Sequence, residues 1–369
     1  MKTFVRSIVL SFVAVSAIAL TGCSKKDDVP VEIDGQLVEI LPSGGSFKGG
    51  VVSQSSVASR AVIDAGHTRD LKVAFARIDQ KSETDATYPA YSTVAAALPA
   101  TWTKGFTAAN ATAISFDVPQ YYLTRVTNNN TKLVGWYPHL TANTFSSGEV
   151  SIAVDGANDI MLTQELEGNK DAATAFGVTG KIFNFKHKLA LLKFRVYAKD
   201  SAAVKNGYGK LKAITLKKQL ATCKIVLPGD QAGQVTFDYA AAPDPEDMDM
   251  VKKAADSTDK AITYPLELPV LTVTDNGDGT STTKKNDIEC GYALIAPVGA
   301  SGKVSVAIET ELGGTKEVDL TLPKDASSNV LGFEAGKAYN IVLCFTTTGI
   351  DPTATITEWI KADDIEIEL

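Results

Sequence analysis

Apolar and polar positions alternate with a period of two over most of the chain from residue 31 onward. This is the spacing of strands with one buried face. Val304, Val306 and Ile308 alternate with Lys303, Ser305 and Glu309, the chain turns at Gly313-Gly314, and Val318, Leu320 and Leu322 carry the pattern back. That predicts a hairpin. Tyr339, Ile341, Leu343 and Phe345 share one face of a later strand, and Val342 and Cys344 occupy the other. Apolar residues on both faces predict a central strand. Further strands are expected at 71–78, 131–137, 150–154, 158–163, 182–198, 210–217, 222–227, 234–238, 262–273 and 287–296. Short helical turns are expected near 92–98 and 251–256. No long stretch follows a 3.6-residue period, and no internal repeat is present.

One segment breaks its own pattern. From Phe183 to Leu191 the apolar phase is odd, with His187 in the series. From Leu192 to Ala198 it is even. A regular strand cannot change faces, so a bulge or break is expected here. His187, on the apolar series, reads as a hydrogen-bonded core histidine rather than a ligand.

Strands at this spacing, with turns between them, give an all-β chain built as antiparallel sandwiches. Gly168-Asn169-Lys170-Asp171 and the run from Gly177 to Gly180 interrupt the strands. They divide an N-terminal sandwich, 61–176, from a C-terminal one, 177–369. A length of 369 residues suits two domains.

Residues 1–22 read as a signal peptide and not as part of the fold. Lys2 and Arg6 make a positive start, and Ile8 to Leu20 is an apolar run too short to span a bilayer comfortably. Leu20-Thr21-Gly22-Cys23 then reads as a lipobox, cleaved between Gly22 and Cys23, with the Cys23 thiol carrying lipid. Residues 23–60 would be a lipidated tether followed by a removable strand. Ser24-Lys25-Lys26-Asp27-Asp28 resembles the surface-export signal of Bacteroidetes lipoproteins, or is simply a solvated tether.

Composition narrows the function. Hydrophobic residues are 44% and charged residues 21%, an ordinary globular balance. The formal net charge of −7 argues against a nucleic-acid partner. Losing residues 1–22 removes two positive charges and no negative ones, so a lipid and not surface charge would hold the protein at a membrane. Three histidines and four cysteines exclude a multi-zinc protein and a dense disulfide framework. With Cys23 lipidated, Cys223, Cys290 and Cys344 remain, each in a strand-like stretch. They read as buried thiols acting as small hydrophobes.

Catalytic signatures are not found. Gly177-Val178-Thr179-Gly180-Lys181 has the end of a phosphate loop, but Ala175 and Ile182 occupy positions that need Gly and Ser/Thr. His67, His139 and His187 are far apart in sequence. Asp275-Asn276-Gly277-Asp278-Gly279 reads as a plain turn, because Asn286 stands where a calcium loop needs Glu. No enzymatic activity, cofactor or metal is therefore expected.

Three segments carry a resemblance. They are Lys132-Leu133-Val134-Gly135-Trp136-Tyr137-Pro138-His139, Asn158-Asp159-Ile160-Met161-Leu162, and the stretch from Phe183 through His187 to Val196. In this order they resemble the fimbrillin family of Bacteroidetes, the pilin-like lipoproteins of type V pili. Phe333 to Ile341 and Ile356-Thr357-Glu358-Trp359 are similar to that family's closing strands. The resemblance implies two transthyretin-like β-sandwich domains, a surface-exposed lipoprotein of the outer membrane, and a place in the fimbrium after processing. It implies that an Arg-specific surface protease removes the N-terminal segment and that a strand from another pilin subunit fills the groove left behind. On that pattern Arg60-Ala61 is the cleavage site, with Arg69 the alternative. Leu37, Val38, Ile40, Phe47, Val51 and Val52 would pack as the removable strand. Ile365, Ile367 and Leu369 would face inward on the donor strand, or on an edge strand of their own domain. A rival reading is a glycan- or host-binding surface lipoprotein, a tip or accessory subunit that does not polymerise. There Trp102, Tyr121 and Tyr122, if exposed, would stack on sugars.

Overall fold

The computed structural model describes residues 37–45, 63, 67, 69–82, 85–103, 111–123, 130–139, 144–227, 236–239, 245–255, 258, 260–325 and 327–357. The first half holds β1 Ser43–Gly44, β2 Leu71–Asp79, β3 Leu98–Trp102, β4 Thr112–Phe116, β5 Thr131–Tyr137, β6 Thr144–Ser146, β7 Glu149–Ala153, β8 Met161–Leu162, β9 Leu166–Gly168 and β10 Lys186–His187. The second holds β11 Ala190–Ala198, β12 Leu211–Gln219, β13 Thr222–Val226, β14 Thr236–Asp238, β15 Glu246–Asp249 and β16 Thr272–Asp275. It ends with β17 Ser281–Lys284, β18 Ile288–Ile295, β19 Ser305–Thr310, β20 Gly314–Asp319, β21 Ala338–Phe345 and β22 Ile350–Thr357.

The expected all-β class is what the chain adopts. An eight-stranded sheet runs β1-β4-β3-β2-β5-β8-β10, with β9 also on β5. Three four-stranded sheets follow: β18-β11-β21-β22, β15-β12-β19-β20 and β14-β13-β7-β6. β16 and β17 form a separate hairpin. Strand pairs are antiparallel except β11 with β21, which run parallel from Leu191↔Ala338 to Ala198↔Phe345.

The eight-stranded sheet is apolar on both faces because its inner strands are. Ala74, Ala76, Ile78, Val134 and Trp136 point to the main core, which also takes side chains from β7, β11, β12, β19 and β21. Leu71, Val73, Phe75 and Leu133 point the other way, into a smaller core with Ile40, Trp102, Tyr122, Phe176, Phe183 and Phe185. Gly135 belongs to this second face. A Cβ there would lie 2.6 Å from the Phe75 ring, so the glycine is what lets that ring lie across the sheet.

Among the described residues, pairing between named strands crosses the expected division at 176/177 in two places, and Gly156 bridges to Leu294 across it as well. β10 closes the eight-stranded sheet, and β13 pairs with β7 along Thr222↔Ala153 to Val226↔Glu149. The phase change in 183–198 is a break. β10 and β11 belong to different sheets, separated by Lys188-Leu189. The 303–322 hairpin forms as β19 and β20. β21 lies inside its sheet between β11 and β22, with Val342 and Cys344 half-buried.

Other expectations are corrected. Residues 262–273 do not form a strand before Thr272. They make only isolated bridges, at Leu266 and Val270. Pro265 and Pro269 have no N–H for a ladder. Within 158–163 only Met161–Leu162 is strand. The Asp155 carboxylate accepts the Ala157 and Asn158 amides at 3.0 and 2.8 Å and holds a turn there. The 251–256 helical turn is absent among the described residues. Val251 bridges to Tyr292 and Lys253 to Ala261. A 3-10 turn does form at Tyr91–Thr93, and a π-turn at Ala203–Tyr208 sets Tyr208 edge-on to Phe345 at 5.0 Å.

The three described cysteines are free thiols. Burial pushes the Cys223 thiol up to about 12 and raises Cys290 as well, so both side chains act as apolar groups. Burial also acts on His67, on the approach to β2. It is pushed down to about 4, first by desolvation and second by Arg69. Its neutral form is the one the fold accepts. The stability it contributes is complete above about pH 6.5 and is lost as pH falls toward about 4, by roughly 3 kcal/mol at most. Denaturant unfolding between pH 7 and 4 is expected to show this loss, and His67→Gln is expected to flatten that part of the curve.

Candidate functional site

The feature of the fold with the clearest functional geometry is a groove filled by the chain's own segment 37–45. On one side this segment runs along β4 and the residues after it. Ile40 N donates to Gln120 O at 2.7 Å, Tyr122 N to Val38 O at 2.9 Å, and Ile114 N to Pro42 O at 2.9 Å. On the other side Phe183 N donates to Ser43 O at 2.9 Å, and Gly45 N to Phe183 O at 2.8 Å. The segment is thus an inserted strand with a partner on each flank. Its side chains alternate. Ile40, Pro42 and Gly44 are buried and Val38 half-buried, while Leu37 and Leu41 face solvent at 47% and 60% exposure.

The groove is aromatic. Trp102 stacks on Phe185 at 4.7 Å and donates from Nε1 to Thr112 Oγ1 at 2.7 Å. Phe75 meets Phe183 edge-on at 5.0 Å. Tyr122 stacks on Phe176 and accepts the Phe176 amide on its hydroxyl at 2.9 Å. Burial raises the Tyr122 phenol above its ordinary value. Without residues 37–45, this surface would be apolar, with a row of unpaired backbone groups from Ile114 to Tyr122 on one flank and the amide and carbonyl of Phe183 on the other.

The wall at 183–187 is anchored by the three segments singled out in the sequence. β5 pairs with β8 through Trp136↔Leu162 and Tyr137↔Met161, and β8 pairs with β10 through Met161↔His187. His187 Nδ1 and Asp159 Oδ2 lie 2.7 Å apart, with the Asp159 side chain fully buried. His187 is therefore the hydrogen-bonded core histidine its position on the apolar series suggests. Burial, with the Asp159 charge second, raises the Tyr137 phenol beside this pair.

Gly22, Cys23, Arg60, Ala61, Ile365, Ile367 and Leu369 lie outside the described residues, as do Phe47, Val51 and Val52. Of the residues expected to pack inward before Arg60, Ile40 is buried, Val38 is half-buried and Leu37 faces solvent. Trp102 and Tyr122 are core side chains at 0% and 1% exposure. They offer no surface on which a sugar would stack, because both rings form the groove wall. Tyr121 is half-buried, and its carbonyl accepts from Arg77 Nη2 at 2.8 Å. Asp275 to Gly279 is a hairpin turn in which Asp275 Oδ1 accepts the Gly277 amide at 2.9 Å. Asn286 is engaged elsewhere, donating to Val270 O and Thr272 Oγ1. Sequence reasoning missed the flanks of the groove at Phe183, Gln120 and Tyr122. Phe183 and Tyr122 were signalled by their aromatic rings, and Gln120 by nothing.

A family model described as fimbrillin-like matches residues 60–359. The chain belongs to the fimbrillin-like family. Among solved structures, this fimbrillin-like chain is similar to a putative cell adhesion protein from Bacteroides uniformis, at 13% identity and TM-score 0.47, over 89% of this chain and 100% of that one. It is also similar to a fimbrial protein from Bacteroides vulgatus, at 12% identity and TM-score 0.39, over 86% and 99%. The tip fimbrial protein Mfa3 from Porphyromonas gingivalis, with a C-terminal truncation, is similar at 9% identity and TM-score 0.38, over 88% and 100%. No curated protein matches the chain. Membership gives this fimbrillin-like protein a pilin-like adhesion role at the cell surface, in contact with other pilin subunits, and not an enzymatic one.

Proposed function

We propose that the chain is a structural pilin, exported as a lipoprotein precursor and assembled by proteolysis-triggered strand exchange. Cys23 carries the lipid that holds the precursor on the outer membrane. An Arg-specific surface protease cuts at Arg60-Ala61 and so severs segment 37–45 from the body of the protein. The segment leaves, and a strand from another subunit takes its place by β-augmentation, main-chain hydrogen bonds giving affinity and alternate side chains giving selectivity. Ile365, Ile367 and Leu369 are the candidate inward residues of that strand.

One observation carries this reading. Residues 37–45 are a strand inserted between two flanks, with Ile40 at 1% exposure in a core separate from the main one. Such a segment can depart without opening the main core. The test is the mass and N-terminal sequence of the protein shed from native cells. A chain beginning at Ala61 in high-mass assemblies is expected. A chain that stays monomeric after treatment with the Arg-specific protease would overturn the polymer role. A chain still beginning at lipidated Cys23 would point instead to a retained adhesin.

A further inference from the structure

We infer that Trp102 makes one end of the groove a glycine-only position, which fixes the register of segment 37–45 and selects the strands able to replace it. The inward positions of the segment are 38, 40, 42 and 44. The first three carry Val, Ile and Pro, and the fourth carries Gly. A Cβ on Gly44 would fall against Trp102 Cε2, Nε1 and Cζ2, well inside contact distance. The indole cannot give way. It is fully buried, stacked on Phe185 and tied through Nε1 to Thr112. From elsewhere on the groove, Gly177 approaches the same stretch. A Cβ there would lie 2.7 Å from Leu41 O, and its φ of +88° disfavours any other residue. Gly45 is less constrained. A Cβ at that site would meet only the end of the Asn184 side chain, which can rotate away.

The consequence is positional. Sliding the segment by two residues keeps the alternation but sets Pro42 or a residue beyond Gly45 against the indole. Only one register puts apolar side chains at three inward sites and none at the fourth. An incoming strand meets the same rule. The register lock stands on the geometry alone, and its use in selecting a partner strand rests on the exchange reading above.

The experiment has two arms. In the intact chain, hydrogen exchange is followed at the Ile40 and Gly45 amides, both hydrogen-bonded in the groove. Gly44→Val is expected to speed their exchange by about tenfold or more, the cost of overpacking against a fixed ring, with amides of β11 and β21 unchanged. Leu41→Val, on the solvent side, is expected to leave them alone. In the second arm, the full chain cut with the Arg-specific protease is offered a synthetic peptide of residues 36–46, or the same peptide carrying Gly44→Val. The glycine peptide is expected to bind about tenfold tighter or more. Equal exchange in the first arm, or equal binding of the two peptides in the second, would overturn the glycine rule while leaving strand exchange intact. If neither peptide binds, the exchange reading fails with its selection clause, and the register lock is decided by the first arm.

Discussion

Replacing His187 with Leu is expected to cost about 3–5 kcal/mol of folding stability, a large share of what a domain of this kind has. The reason lies in the partner. The Asp159 side chain is fully buried, and one of its oxygens sits 2.7 Å from His187 Nδ1. With the imidazole gone, that carboxylate stays in an apolar setting with its partner removed. The double variant His187→Leu with Asp159→Leu is expected to recover most of the loss, since no orphaned polar group then remains. Denaturant unfolding of the four proteins of this cycle measures both numbers. A single variant within about 1 kcal/mol of the native protein would show that the pair does not anchor β10. The effect should also reach the groove. Phe183 and Phe185 precede His187 on the same wall, so His187→Leu is expected to quicken exchange at the Gly45 amide.

Ile40→Asp is the second large expected effect, and it has a different signature. Ile40 is almost fully buried in the smaller core, and the main core does not include it. A carboxylate there loses the apolar burial and faces aromatic rings. Segment 37–45 is then expected to leave the groove while the sheets of the main core stay formed. Limited proteolysis should cut within 37–45 under conditions that leave the native chain whole, and an apolar dye should bind the vacated surface. Ile40→Val, which removes one methylene, is expected to cost about 1 kcal/mol and keep the segment docked. If Ile40→Asp instead unfolds the whole chain in one step, the segment is not a separable element.

These expectations draw on parts of the molecule that were unequally legible in the sequence. The alternation in 303–322 and 338–345 was clear because those strands bury one face or pack inside a sheet. The break in 183–198 was visible as a change of phase, since β10 and β11 go to different sheets. The three segments around Trp136, Asp159 and His187 were recognisable one by one, and their convergence on β5, β8 and β10 is long-range pairing that no local pattern encodes. The groove itself was poorly legible. β3 contains Pro99, which weakens a strand signal. Pro42, Gly44 and Gly45 read locally as a turn. Their role appears only when Trp102, distant in sequence, is placed beneath them. The rule that aromatics such as Trp102 and Tyr122 serve a ligand fails here because a second, smaller core needs them.

The parallel pairing of β11 with β21 has a bearing on how the chain reaches its fold. The two strands are separated by roughly 150 residues of sequence, and β21 lies inside its sheet, not at the edge. The main core therefore cannot close until the stretch ending at Phe345 has been made. A nascent chain lacking it holds β11 with one flank open and the apolar faces of β12, β18 and β19 uncovered. Such a protein is expected to fold late and as a whole, with a long interval in which it depends on being kept from aggregation.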